Sequence, residues 1–296
     1  MNKIFCLIIL LFSSPAIAQT AAEKPKILYG SISKDSLTAT PFNKWFNIGY
    51  DNYHPEETIL SSLKKQGFEN IRISIFFGTW CGDSKREVPR FLKLLSEVSF
   101  TVKNVQLIAV GNGDSLVKQS PQHEEAGLGI FRVPVFIIYK NGKEINRINE
   151  FPVLSLEKDL QNILGGEAYI PNYHSFGLIR GWLEDGSLSD ENTSPAGLAE
   201  QLRSLVGGEH ELNSLGYLLL KQDRKKEALR IFQVNYHLYP KSANILSSLG
   251  EGYYENGDNK KAVSFLERAL ELNKEPQDVK GILEVLYKAK EKEISK

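Results

Sequence analysis

Cysteine is scarce in this chain: 296 residues hold two, Cys6 and Cys81. Cys6 sits in "IFCLIILLF", which follows Lys3 and leads to Ala16-Ile17-Ala18. Charge, apolar run and small-x-small site are the three parts of a secretory signal peptide, expected over residues 1–18 with cleavage near Ala18. The run is well short of the ~20 residues that a spanning helix needs, so no membrane span is expected in the mature chain. Loss of Cys6 would leave Cys81 as the sole thiol of an exported protein, periplasmic or secreted, with no partner for an internal disulfide. An unpaired cysteine in an oxidising compartment is a hazard unless it is buried or used, so its surroundings are decisive.

Charge of one sign is lacking too. Lys plus Arg number 36 and Asp plus Glu 36, a balance that points away from nucleic acid and anionic membranes. The histidines, at 54, 123, 174, 210 and 237, show no paired ligand spacing, so no metal and no cofactor is expected. "GNGD" at 111–114 lacks the rest of a phosphate loop and reads as a turn.

What is present is an ordinary globular composition, 42% apolar, enough for one large or two modest domains. "NIRISIFF" (70–77), "NVQLIAV" (104–110) and "VPVFIIY" (133–139) are short apolar runs rich in β-branched and aromatic residues, the pattern of buried strands. Between the first two, Val88, Phe91, Leu92 and Leu95 repeat at helical spacing, predicting a helix over Asp83 to Val98 and a parallel strand-helix-strand unit. "YKNGKEINRI" places Asn141-Gly142 where a tight hairpin turn needs positive φ. "SLEKDLQNIL" predicts a Ser-capped helix, and another is expected near Glu56 to Gln66.

Trp80-Cys81-Gly82 at a helix start, Pro89 eight residues after the cysteine, and Val133-Pro134 ahead of a "KNGK" hairpin together resemble the thioredoxin family. The resemblance spans about residues 26–164. It implies an α/β thioredoxin-like domain, a central mixed sheet flanked by helices, with a cis bond at Val133-Pro134 beside the active sulfur and a helix kink at Pro89. It assigns Trp80, Gly82, Val133 and Pro134 to substrate binding and Cys81 with Ser84 to catalysis. Ser84 stands where most members carry a resolving cysteine, and Ile75 where many carry a buried acid.

A cysteine at a helix N-terminus faces unpaired N–H groups and the positive dipole end, which favour thiolate over thiol. Lys85 and Arg86 are expected to add positive charge there and Asp83 to oppose it. A serine hydroxyl can hydrogen-bond a thiolate but cannot attack sulfur. The expected chemistry is therefore monothiol exchange, in which Cys81 forms mixed disulfides with a client protein or a small-molecule thiol. The competing reading is a non-enzymatic binding adaptor on the same scaffold.

After Leu164 the composition shifts. Residues 165–208 read as a partly helical connector, with candidate helices at Tyr173 to Leu183 and from Ser194-Pro195 to about Val206. Over 209–296 Leu215-Gly216, Ala228 and Phe232 are echoed by Leu249-Gly250, Ala262 and Leu266, each 34 residues on. That period, with small residues where helices touch, resembles the tetratricopeptide repeat and predicts an all-α helical-repeat domain that binds a protein partner.

Overall fold

The computed structural model describes residues 26–113, 116–273 and 275–294. The expected signal segment, 1–18, and Asp114 of the "GNGD" turn lie outside the described residues.

The described residues form a five-stranded mixed sheet in the order β1-β3-β2-β4-β5. Its strands are β1 (Gly30–Ile32), β2 (Ile71–Phe77), β3 (Val105–Ala109), β4 (Val135–Lys140) and β5 (Lys143–Asn149). β2 runs parallel to β3 and antiparallel to β4, with Ile75 opposite Leu107 on one side and Phe136 on the other. A strand paired on both edges and covered on both faces is mostly apolar, and in "IRISIFF" only Arg72, near its start, is exposed, while the buried Ser74 donates to Gln106 at 3.3 Å.

Alternate residues of β2 feed two cores. Ile73, Ile75 and Phe77 join one built with the helices α1 (Lys34–Thr38), α2 (Asn43–Asp51), α3 (Glu57–Gln66), α4 (Gly82–Glu97) and α5 (Leu156–Gly165). Phe76 joins Ile108, Val110, Val135 and Ile137 on the opposite face, where Ile130 and Val133 of a long loop close the layer in place of a helix. The expected run from Val133 enters its strand only at Val135, because Pro134 has no N–H to give the ladder. Asn141 and Gly142 turn the hairpin at φ 52° and 78°. β1, α1 and α2 carry too few apolar repeats to be read from the sequence.

The helical half comprises α6 (Ser175–Glu184), α7 (Pro195–Leu202), α8 (Glu209–Lys221), α9 (Lys225–Leu238), α10 (Ala243–Glu255), α11 (Asn259–Leu272) and α12 (Pro276–Ile294). α6 and α7, in the expected connector, bury Phe176, Ile179, Trp182, Leu198 and Leu202 in one core with α8, α9 and α10. Val117 and Phe131, from the loop that closes the sheet, belong to that same core. The helices thus bury apolar surface of the sheet half as well as their own.

The 34-residue echo is a packing device. A Cβ at Gly216 would stand 2.3 Å from the Phe232 ring, and one at Gly250 would stand 2.6 Å from Leu266. Ala228 and Ala262 are fully buried at the equivalent crossings. Each hairpin closes because a large side chain of its second helix lies directly on a glycine of its first.

Two consequences follow for stability. Gly216→Val should lower the denaturation free energy by ~1–3 kcal/mol through overpacking. Gly281→Ala, on α12 with nothing within 4 Å of the added carbon, should raise it by ~0.5–1 kcal/mol. Urea titration of both variants checks the pair, and equal effects would refute the close-packed crossing. Separately, deleting 209–296 strips the cover from Val117 and Phe131, so the remaining chain should melt earlier than the full chain in calorimetry.

Candidate functional site

Cys81 is the N-cap residue of α4, with extended backbone at φ −82° and ψ 131°, immediately past the end of β2. It is partly exposed and unpaired. Its Sγ–H donates to the Val133 carbonyl at 3.2 Å, and the Val133–Pro134 peptide is cis. The loop between β2 and α4 is fastened on three sides. Leu28 N–H donates to the Thr79 hydroxyl at 3.2 Å, Trp80 Nε1 donates to the Val110 carbonyl at 3.0 Å, and Gly78 N–H donates to Ser84 Oγ at 3.2 Å.

Ser84 is fully buried, one helical turn beyond the cysteine, and its oxygen accepts from the loop that carries Trp80. The residue expected to serve the sulfur thus holds the loop in shape. Gly82, opposite, is exposed with nothing within 4 Å of where a side chain would start. Ile75 is wholly buried in β2. Trp80, Cys81, Val133 and Pro134 are brought together, with Trp80 and Cys81 lying against the cluster that contains Val133.

Charge near the sulfur departs from the expectation. Arg86 turns away to Asp83 at 2.8 Å and to the buried Glu87 at 2.5 Å, so its cation is spent within α4. A cation that senses the Cys81 charge is Lys118, which the sequence pattern does not reveal. After β3 the chain folds back on itself: Gly111 N–H donates to the Gln119 carbonyl at 2.9 Å, and Lys118 N–H to the Gly111 carbonyl at 3.0 Å. Gly111 is needed there, because a Cβ would sit 2.5 Å from the Leu116 carbonyl oxygen. This tight return places the Lys118 ammonium on the Phe131 carbonyl at 2.8 Å, two residues from the carbonyl that holds Cys81. Burial pushes the ammonium down to about 8, Arg132 adds to the shift, and Glu150 and Cys81 oppose it. "GNGDSLVK" has no residue pattern that announces such a lysine. Its role depends on where the loop returns.

Arg132 links this segment to the helices. It donates to the Ser214 hydroxyl of α8 at 2.7 Å, lies 3.8 Å from Glu150 and covers the Tyr173 ring at 5.0 Å. Gln222, just past α8, donates to the Val117 carbonyl at 2.9 Å. A cleft of about 370 Å³ opens where loop 118–131 meets α6 and the turn between α8 and α9.

A second concave region of about 550 Å³ lies across α8, α10 and α12, lined by Tyr217, Asn244, Ser247, Glu251, Val285 and Lys288. Tyr217 bridges two repeats by donating to Glu251 at 2.8 Å. Residues 245–280 match the tetratricopeptide repeat family, covering α10, α11 and the start of α12. The match supports repeats of this type at the C-terminal end and suggests a protein partner for them. No curated protein matches the chain. Among the described residues no helix is long and apolar enough to cross a membrane, and no group of His, Cys, Asp or Glu could hold a metal ion.

Lys118 makes stability depend on pH in a defined sense. Its folded-state value, about 8, lies below the unfolded 10.5. Between those values the unfolded chain holds a proton that the folded chain has released, so wild type gains stability as pH rises. Lys118→Met removes that gain. The stability of the variant minus that of wild type should be greatest below pH 8 and shrink toward pH 10.5, as read from denaturant midpoints. A difference that does not change with pH would refute the buried cation.

Proposed function

We propose that the sheet half is a thioredoxin-like domain whose Cys81 carries out monothiol-disulfide exchange, and that the chain is exported, with the repeats recruiting a protein partner. One observation carries this: a partly exposed thiol caps α4 at the end of the central strand and faces the backbone that leads into Pro134. The arrangement of strand, cysteine at a helix N-terminus and opposed Val133 supports the family resemblance. Fold alone would not imply activity, so the reading rests on the reachable sulfur.

The step follows from the residues. The Cys81 thiolate attacks one sulfur of a disulfide and forms a new S–S bond. The old S–S bond breaks, and the departing sulfur leaves as a thiolate that takes a proton from water. Ser84, buried and bound to Gly78, offers no second thiol to cleave the adduct. An external thiol must attack the mixed disulfide, returning Cys81. Without such a thiol the adduct persists, and the protein acts as a covalent trap.

Cys81→Ser, Ser84→Cys and wild type, compared side by side, test the reading. Wild type should accumulate disulfide-linked complexes that vanish in Cys81→Ser and on reduction. Ser84→Cys should release them and gain turnover in insulin reduction, because a neighbouring thiol acts at an effective concentration of up to ~10⁵ M or more. The apolar Ile75 above the helix should keep that gain modest, since nothing there draws a proton from the new thiol. Equal inertness of all three, with slow alkylation of Cys81 at neutral pH, would defeat exchange and leave binding as the function.

A further inference from the structure

Lys118 is a substantially buried cation without a carboxylate. Among the described residues no Asp or Glu oxygen lies within 4 Å of its ammonium, whose hydrogen bond goes to the Phe131 carbonyl. The charges it senses most are those of Arg132 and Lys221, which weaken its hold on the proton, and of Glu150 and Cys81, which strengthen it. Glu150 is already engaged, accepting from the Tyr173 hydroxyl and lying 3.8 Å from Arg132. Lys221 is exposed at the end of α8. Among the described residues, Lys118 thus senses chiefly two further cations and a single carboxylate, which Arg132 already engages.

The other charged groups around the adjoining cleft are paired among themselves. Glu125 accepts from Ser120 and contacts His123. Arg180 reaches Glu144 and Glu184, and Arg224 is held by Glu227. Among the described residues Lys118 is the lining cation with no carboxylate within 4 Å, and Ile130, Phe131 and Leu183 give the cleft apolar walls.

Resting on the exchange reading of Cys81, we propose that Lys118, with Arg132 and Lys221, forms a carboxylate receptor, so that the disulfides preferred at Cys81 carry a carboxylate a few bonds from sulfur. The anion occupies the cationic cluster while the sulfur meets Cys81. The two anchor points lie two residues apart on one segment, Phe131 for the ammonium and Val133 for the thiol. One sulfur of the ligand bonds to Cys81, the ligand's S–S bond breaks, and its other half leaves as a thiolate that is protonated by water. Desolvation makes the ammonium a stronger partner for an anion than a surface lysine.

The test uses the full chain and three disulfides of matched arm length: 3,3′-dithiodipropionate (anionic), bis(2-hydroxyethyl) disulfide (neutral) and cystamine (cationic). Adduct formation at Cys81 is followed by intact mass, and each rate is divided by that of the same disulfide with N-acetylcysteine. At ~0.01 M salt the anionic reagent should lead the neutral one by about tenfold and the cationic one should be slowest, the spread narrowing at ~1 M salt. Lys118→Met and, independently, the surface change Lys221→Met should each reduce the ratio of anionic to neutral rate. Equal normalised rates in wild type, or a ratio unmoved in both variants, would overturn the receptor while leaving exchange intact. Absence of any adduct at Cys81 would overturn both.

Discussion

The placement of the five residues from Ile130 to Pro134 governs the rest of the molecule. Their side chains alternate between two cores. Ile130 and Val133 fill the layer under the sheet, Phe131 enters the helical core, and Arg132 bonds Ser214 of α8. Their carbonyls meanwhile hold the Lys118 ammonium and the Cys81 thiol. A segment with both faces buried has little freedom to shift, because any slide would unseat apolar groups on both sides. The geometry at the sulfur is therefore set by packing on either side of it, including packing supplied by helices distant in sequence.

Much of the architecture was legible because it is local. β2 announces itself as a short run dominated by Ile and Phe, α4 by the spacing of Val88, Phe91, Leu92 and Leu95, and the β4–β5 hairpin by Asn141-Gly142. The repeat was legible because Gly216 and Gly250 must be small wherever a Phe or Leu crosses them. Cys81 was legible as a helix cap because the helix pattern begins just after it. None of these inferences needs knowledge of a residue far along the chain.

What escaped the sequence is non-local. Lys118 looks like any loop lysine until Gly111 turns the chain and lays the ammonium on the Phe131 carbonyl. Arg86 looks like a cation available to the cysteine, yet the buried Glu87 beside it and Asp83 one turn back bind it first. An ion pair formed within one helix turn needs little reorganisation, so it captures the guanidinium before a more distant thiolate can. Likewise α6 and α7 read as a connector because glycine, proline and acidic residues are mixed around them. Their membership in the helical core depends on partners in α8 and α9 and on Val117 and Phe131.

These facts bear on why a lone thiol and a helical repeat occur in one chain. Ser84 gives its oxygen to Gly78 and thereby fixes the loop under Trp80, a role that needs an acceptor in a fully buried place. A serine there secures the loop that carries Cys81 while supplying no second sulfur. In the proposed exchange release would therefore come from an external thiol, and the segment that holds the Cys81 thiol is itself fastened to the helical half. Arg132 bonds Ser214 of α8, and Gln222 donates to the Val117 carbonyl. The helices thus reach the Cys81 segment through these bonds and through the core that seats Val117 and Phe131. The proposed selection at the cluster and the proposed recruitment by the repeats would then share one core, because the segment that seats Phe131 there also positions the carbonyl that holds the sulfur.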